Sequence, residues 1–340
     1  MSQKAKPLIT TLIVIIALVS FVVIQNSSSK TSQFQNNNQK DVVIAFQTGV
    51  DPTKVAQARG DYEKDSQHNI QWKKFDTGAD IVNALASGDV DIGNIGTSPL
   101  AAASSRDVPI QVFLTVSKLG ASEALVIRNG SGITQPRDLV GKTIAVPFVS
   151  TAHYSLLSAL KHWNISDSQV KIVNLRPSEI SAAWERGDID ATYVWEPALS
   201  KAAETGRVLT DSTQVGDWGA PTYDVWVVRK KFAEENPDFL KAFVNTSLRI
   251  TDEYNQDPQA FIHNASHLEK IANLTGSQVK DIPLLLAGNK YLTRQEQLDT
   301  FKQEFAISIS DTAKFLQSQG KVDNVKADYS EHVNSTFLQP

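Results

Sequence analysis

The strongest constraint on the fold is an alternation of short apolar, β-branched runs with helix-like stretches between Asp41 and Arg229. The run VVIAF (Val42 to Phe46) is typical of a buried strand, and KTIAVPF (Lys142 to Phe148) repeats the pattern later in the chain. A strand–helix rhythm of this kind predicts a parallel or mixed sheet covered by helices on both faces. The expected class is therefore α/β, with mixed sheets flanked by helices.

Two segments of the chain resemble each other. Residues 84–92 (ALASGDVDI) and 183–191 (AWERGDIDA) both read as a helix, a Gly, an Asp, a β-branched residue, an Asp and a strand. Their separation is too long for a solenoid repeat but suits two α/β lobes that share one supersecondary unit. Chance similarity of common helix–Gly–strand chemistry is the alternative.

Length and composition exclude several classes of protein. A chain of 340 residues has room for about two domains at roughly 150 residues each. It contains no Cys, which excludes disulfides, thiolate metal sites and a Cys nucleophile. The net charge is −4 and there is no clustered run of Lys and Arg, so a nucleic-acid partner is not expected.

The N-terminus has the composition of an export segment. Lys4 and Lys6 precede an apolar run over residues 8–24, which a stretch rich in Ser, Asn and Gln follows. This pattern predicts a signal peptide or an N-terminal membrane anchor in residues 1–30 and a linker in residues 31–40. No clean A-x-A cleavage site follows the run, so both alternatives stay open. Either one places the rest of the chain in the periplasm or another extracytoplasmic compartment.

Catalytic motifs fail when their spacing is checked. Gly141-Lys142-Thr143 resembles the end of a phosphate-binding loop, but Pro136 stands where the leading glycine is required. His263 and His267 have zincin spacing, yet Asn264 occupies the position of the general base. No G-x-S-x-G elbow surrounds a serine. The sequence therefore predicts neither a metal, nor a cofactor, nor a catalytic group, and the chain is not expected to be an enzyme.

Three predicted strand ends carry small polar residues into helix starts: Gln47-Thr48, Thr97-Ser98-Pro99 and Ser150-Thr151. Free backbone N–H groups and the positive end of the helix dipole favour anions at such places. Ordinary capping by Ser98 or by Ser150 explains any one of them. Since ligands of open α/β sheets bind at the carboxyl ends of strands, three convergent starts favour an anion-binding cleft.

A second group of residues combines acids with aromatic rings. A carboxylate beside aromatic faces holds an ammonium group through charge-assisted hydrogen bonds and cation–π contact. The alternative is that the aromatic residues belong to the cores of strands. The group comprises Glu123, Tyr193, Trp195, Glu196, Trp218, Tyr223, Asp224 and Trp226.

Five segments carry a resemblance to a known family. They resemble the taurine, aliphatic-sulfonate and nitrate substrate-binding family of ABC importers, and the likeness extends over nearly all of the chain after residue 40. That family has the two-lobed, hinged type II periplasmic-binding-protein fold. The segments are ALASGDVDIGNIGTSPLAAA (84–103), SKLGASEALVI (117–127), GKTIAVPFVSTAHYSLLSALKHW (141–163), AAWERGDIDATYVWEPAL (182–199) and DSTQVGDWGAPTYDVWVVRK (211–230).

The resemblance implies a monomeric binding component that captures taurine between two lobes and delivers it to a permease with a cytoplasmic ATPase. Residues 41–121 and 223–340 would form lobe 1, and residues 122–222 would form lobe 2. One alternative ligand is another aliphatic sulfonate or a small anion such as nitrate. A more remote alternative is a biosynthetic enzyme on the same fold.

The resemblance also implies a set of binding residues. Asp224 and Glu123 would hold the ammonium group, and Tyr193 and Trp195 would wall the cleft. Glu196 departs from the family's pattern, and an acid beside the site would change the preference for charged substrates. The donors implied for the sulfonate are Gln47, Thr97, Ser98, Ser150, Thr151 and His153.

Overall fold

The computed structural model describes residues 41–303 and 305–339, so the predicted export segment and linker lie outside the described residues. Within these ranges the strands form two five-stranded sheets. The first sheet contains β1 (Val42–Phe46), β2 (Ile70–Lys74), β3 (Ile92–Gly96), β4 (Ile110–Lys118) and β10 (Tyr223–Arg229). The second contains β5 (Ala124–Arg128), β6 (Thr143–Val146), β7 (Lys171–Asn174), β8 (Ala191–Val194) and β9 (Gly206–Asp211).

The two sheets have the same plan. Their strand orders are β2-β1-β3-β10-β4 and β7-β6-β8-β5-β9. In each sheet three neighbouring strands are parallel, and the fourth strand, β10 or β5, runs antiparallel to both of its neighbours. The predicted mixed sheets flanked by helices are confirmed.

Most helices follow strands directly. Those of the first sheet are α1 (Thr53–Arg59), α2 (Asp61–Ser66), α3 (Gly78–Ser87) and α4 (Thr97–Ser105). Those of the second are α5 (Thr151–His162), α6 (Pro177–Arg186), α7 (Ala198–Ala203) and α8 (Ser212–Asp217). After β10 come α9 (Lys230–Glu235), α10 (Pro237–Gln256), α11 (Pro258–His263), α12 (Ala265–Thr275), α13 (Ile282–Ala287), α14 (Arg294–Gln303) and α15 (Phe305–Ser318). Short 3₁₀ turns lie at Pro136–Leu139, Asp167–Gln169, Ser330–His332 and Thr336–Leu338.

The two segments that resemble each other occupy equivalent places. Helix α3 ends at Gly88 with φ 86°, and α6 ends at Gly187 with φ 81°. Only glycine adopts this left-handed conformation without a steric penalty, so each glycine ends its helix and turns the chain into a strand. The strands that follow, β3 and β8, are third in their respective sheets. The sequence similarity thus corresponds to one structural unit used twice.

Aromatic packing fixes the core of the first sheet. The ring of Phe243 on α10 lies 4.5 Å from that of Tyr62, 5.1 Å from Trp226 and 5.8 Å from Phe113, between centroids. Trp226 is therefore a core residue of β10, which is the alternative that the sequence left open for it. A separate apolar cluster lies beneath the second sheet, around Leu125.

The chain passes between the sheets twice. It leaves the first sheet after β4, reaches β5 through residues 119–123, and returns through residues 212–222 to β10. Both sheets belong to one compact unit. Because β5 and β10 are antiparallel to their neighbours, their first residues lie at the same sheet edges as the last residues of the parallel strands. This topology brings both crossings to the edge where a ligand site is expected.

Candidate functional site

A cavity of about 40 Å³ lies between the two sheets at this edge. Gln47 enters it after the end of β1, and Trp195 enters after the end of β8. Asp224 enters at the start of β10. Six of the ten predicted site residues line the cavity: Gln47, Glu123, Ser150, Thr151, Trp195 and Asp224.

The start of helix α5 forms one wall of the cavity. Ser150 is its N-cap: the hydroxyl accepts a hydrogen bond from the His153 amide at 3.1 Å and donates one to the Pro147 carbonyl at 2.6 Å. The Thr151 hydroxyl donates to the Glu123 carboxyl at 2.6 Å. Both hydroxyl hydrogens are engaged within the protein, so the groups that α5 can offer an anion are its first backbone amides.

Helix α4 begins differently from the prediction. The sequence predicts Ser98 as its N-cap, but this is wrong, because the helix starts at Thr97 and Gly96 is the N-cap. Gly96 has extended backbone, with φ −81° and ψ 167°, and offers no side chain to the helix. A Cβ atom at Gly96 would lie 2.6 Å from Cγ2 of Thr151 on the facing sheet. This glycine therefore lets the starts of α4 and α5 approach each other.

Glu123 is buried beneath the cavity and has no cationic partner among the described residues. Its carboxyl accepts hydrogen bonds from Thr151 and, at 2.9 Å, from the Ser212 hydroxyl. Burial raises its pKa to about 8, and the nearby charge of Asp224 contributes to the rise, while the two hydroxyls oppose it. At neutral pH Glu123 is thus mainly protonated and uncharged.

Asp224 presents a carboxylate to the cavity. No hydrogen-bond donor of residues 41–303 and 305–339 reaches its side-chain oxygens, one of which lies 3.5 Å from the Cβ position of Gly49. Burial raises its pKa to about 6, repulsion from Asp51 adds to the rise, and Lys54 opposes it. Near pH 7 it is ionised, and its charge is available to a ligand.

Other polar residues of this site carry no binding signal in the sequence. Asp51 lines the cavity and forms a buried ion pair with Lys54 at 3.0 Å, the lysine being only 1% exposed. Asn289 also lines it, and its side-chain oxygen accepts hydrogen bonds from Gly120 and Ser122 in the first crossing. Asp51 directly precedes Pro52, a pattern that is typical of a helix start rather than of a ligand site. Asn289 belongs to a helical region without any motif, so no signal pointed to it.

Glu196, the departure from the family's pattern, lines the cavity as well. Its carboxyl accepts hydrogen bonds from the backbone amide and, at 2.8 Å, the hydroxyl of Ser200. Burial raises its pKa to about 7. Its backbone carbonyl accepts a hydrogen bond from the Thr48 hydroxyl at 2.7 Å, which joins the two sheets beside the cavity.

Four predicted residues are not brought to the cavity lining. Thr97 and Ser98 lie inside the first turn of α4, and the Ser98 hydroxyl is buried without a partner among the described residues. The Tyr193 hydroxyl is 3.1 Å from that of Ser212, behind Glu123. His153 stacks on Phe148 at 4.6 Å and faces a different hollow, where burial lowers its pKa to about 4.

Two other members of the acid–aromatic group lie elsewhere. Trp218 stacks on His162 at 3.9 Å, outside the cavity lining. Tyr223, next to Asp224 on β10, is buried with its ring 5.7 Å from that of Phe305. No cluster of three or more His, Cys, Asp or Glu side chains suited to a metal ion occurs among the described residues.

The molecule has a small polar cavity between two similar mixed sheets, and the chain passes from one sheet to the other twice. This is the architecture of a substrate-binding protein. Residues 40–270 match the family model described as the substrate binding domain of an ABC-type glycine betaine transport system. The chain belongs to this family of ABC-transporter substrate-binding proteins. It is 53% identical over 299 residues to the taurine-binding periplasmic protein of Escherichia coli strain K12, covering 88% of this chain and 93% of that protein.

Solved structures share the fold. The alkanesulfonate-binding protein SsuA from Xanthomonas axonopodis pv. citri, bound to MOPS, superposes with a TM-score of 0.72 at 20% identity, over 87% of this chain and 98% of that one. The desulfurization enzyme DSZB superposes with a TM-score of 0.58 at 15% identity, over 88% and 97%. The predicted periplasmic-binding-protein fold is confirmed, and the same fold also supports an enzyme.

Proposed function

We propose that this protein is a periplasmic receptor that captures taurine between two lobes and delivers it to an ABC permease driven by a cytoplasmic ATPase. The observation that carries the proposal is the Asp224 carboxylate, which lacks a hydrogen-bond donor among the described residues and shares a small cavity with the start of α5. A cation site and an anion site within one small cavity fit a short zwitterion. The 53% identical taurine-binding relative supports this ligand.

In this proposal Asp224 binds the ammonium group, Glu123 lies nearby as a second acid, and Trp195 forms the wall. The sulfonate faces the first backbone amides of α4 and α5. A sulfonate has three acceptor oxygens and no proton to donate, so it requires N–H and O–H donors. Because Glu123 is mainly protonated at neutral pH, it does not repel the sulfonate from the start of α5.

Another aliphatic sulfonate is the second candidate, which the likeness to the MOPS-bound SsuA favours. Two features weigh against it. The cavity is small, which disfavours a longer alkyl chain, and its lining includes four acids, Asp51, Glu123, Glu196 and Asp224. A simple anion such as nitrate would leave the ionised Asp224 carboxylate without a bound cation. An enzymatic role like that of DSZB would require a catalytic group, and product formation on incubation with candidate sulfur compounds would reveal it.

The proposal includes the arrangement of the lobes. Residues 41–121 and 223–340 form one lobe and residues 122–222 the other, so that the two crossings act as hinges in a monomer. Ligand can favour the closed state only through contacts that the open state lacks. Asp224 from one sheet and the start of α5 from the other satisfy this condition.

Calorimetry with four ligands tests the proposed function. We expect taurine to bind most tightly, ethanesulfonate and β-alanine to bind at least tenfold more weakly, and MOPS not to bind. Each of the weaker ligands lacks one feature: the ammonium group, the sulfonate or the small size. Absence of heat with taurine would contradict the proposal, and tighter binding of ethanesulfonate would favour the second candidate.

The pKa of Asp224 predicts how taurine affinity depends on pH. The free protein protonates Asp224 below a pKa of about 6, whereas a bound ammonium group stabilises the ionised form. Binding then requires loss of a proton, so affinity is expected to fall about tenfold for each pH unit below 6. Calorimetry between pH 5 and 7.5 measures this slope. Ethanesulfonate, which has no ammonium group, is the control and should not weaken as the pH falls.

A further inference from the structure

A polar contact joins the starts of the two equivalent helices, α3 and α6, across the cleft. The two terminal nitrogens of Arg176 lie 3.1 and 3.2 Å from the two carboxylate oxygens of Asp80. Beside them, the Ser178 hydroxyl donates a hydrogen bond to Asp76 at 2.9 Å. A guanidinium that binds both oxygens of a carboxylate is the most directional ion pair that side chains form. The contact lies next to Gly78, which lines the cavity.

The local setting of Arg176 is unusual for a helix start. In the repeated unit, Thr77 is the N-cap of α3 and Asp80 is its third residue; the corresponding residues of α6 are Arg176 and Glu179. Thr77 accepts a hydrogen bond from the Asp80 amide, as a good N-cap does. Arg176 makes no side-chain cap, and its charge lies near the positive end of the helix dipole. Arginine therefore has no local advantage at this position.

Asp80 is held in place by its own helix, because the Thr77 hydroxyl donates to its carboxylate at 2.8 Å. The Arg176 backbone amide donates to Glu179 at 2.8 Å, which fixes the backbone at the start of α6. Little side-chain freedom of Asp80 is then left to lose when the two sheets come together. The side chains are 53% exposed for Arg176 and 28% for Asp80, so salt screens the pair.

We propose that the Arg176–Asp80 pair holds the two lobes closed over the ligand without touching it, and so slows ligand release. This inference rests on the proposed function, since it takes the two sheets as lobes that close. Arg176 and Asp80 are positioning residues. Because residue 176 is an arginine, α6 has no stabilising N-cap side chain. The contact between Arg176 and Asp80 exists only when the lobes are together.

The test is Arg176→Ser, which removes the pair and supplies a good N-cap. We expect release of radiolabelled taurine into excess unlabelled taurine to be about two- to fivefold faster, with the association rate unchanged. The melting temperature of the ligand-free protein should stay equal or rise. Raising the salt concentration should speed release from the wild type but not from the variant.

Two controls isolate the contact. Arg186→Gln breaks the Arg186–Asp188 pair, which lies at 2.7 Å within the second sheet's own unit, and should leave release unchanged. Asp80→Arg places two cations together and should speed release further, whereas Asp80→Arg with Arg176→Asp should restore slow release. Equal release rates in wild type and Arg176→Ser, or equal effects of Arg176→Ser and Arg186→Gln, would overturn the inference.

A measurement without ligand separates this inference from the proposed function. The chain has no Cys, so two introduced cysteines would be the only residues that a spin label modifies. Suitable positions are Lys74→Cys on β2 and Lys171→Cys on β7, both of which are exposed. The ligand-free wild type is expected to have a population at the distance of the closed structure, and Arg176→Ser is expected to reduce that population about two- to fivefold. If the wild type does not retain taurine, the proposed function fails, and the distances still decide: a shift supports the pair, and identical distributions overturn it.

Discussion

Replacing Asp224 by Asn is expected to weaken taurine binding about a hundredfold. The variant keeps the shape of the side chain but loses the charge that would bind the ammonium group, and a charge-assisted hydrogen bond contributes about 1.5–3 kcal/mol. Ethanesulfonate has no ammonium group, so its affinity should stay the same or rise. Calorimetry with both ligands measures the difference.

The stability of the Asp224→Asn variant provides the check that it folds. Burial disfavours the ionised carboxylate, which has no hydrogen-bond donor among the described residues, so the ligand-free variant should be as stable as the wild type or more stable above pH 6. Asp323→Asn, at an exposed carboxylate, is the matched control and should change neither affinity nor stability. Unchanged taurine affinity in Asp224→Asn would remove the basis of the proposed site.

Replacing Gly96 by Ala is expected to lower taurine affinity by at least tenfold. The added Cβ would lie 2.6 Å from Cγ2 of Thr151, so the starts of α4 and α5 would have to separate. The φ of −81° suits alanine, so the effect is steric and arises only when the sheets are together. The stability of the ligand-free protein should therefore change little. Calorimetry measures the loss of taurine affinity, and thermal unfolding measures the stability.

A second substitution tests the cause of that loss. Thr151→Ser removes Cγ2 but keeps the hydroxyl that donates to Glu123. Combined with Gly96→Ala, it should recover most of the affinity that Gly96→Ala loses, so the two changes should not be additive. Additive losses would show that the contact between Gly96 and Thr151 does not control closure.

The fold could be predicted because its signals are local. The apolar run at Val42–Phe46 and the glycines at 88 and 187 mark strand and helix ends through backbone chemistry alone. Asp224 is a candidate through the acid–aromatic group and the family resemblance, and the structure places it at the start of β10.

The rest of the site could not be predicted because it depends on distant contacts. His153 is an exception, because helix geometry alone turns it away: at about 100° per residue, it points roughly 200° away from Thr151, and it contacts Phe148 instead. Gly96 and not Ser98 is the N-cap of α4, and a glycine is required there because Thr151 approaches from the other half of the molecule. Lys54 resembles a surface lysine in sequence, and only its ion pair with Asp51 explains its burial.

The position of β10 has a consequence for the order in which the molecule can assemble. This strand lies between β3 and β4, and the chain reaches it only after all the strands of the second sheet. Until residues 223–229 have been synthesised, β4 has no neighbouring strand in its sheet and the cleft has no Asp224. Contacts this far apart in sequence form late, so a nascent chain that ends before residue 223 cannot hold the ligand.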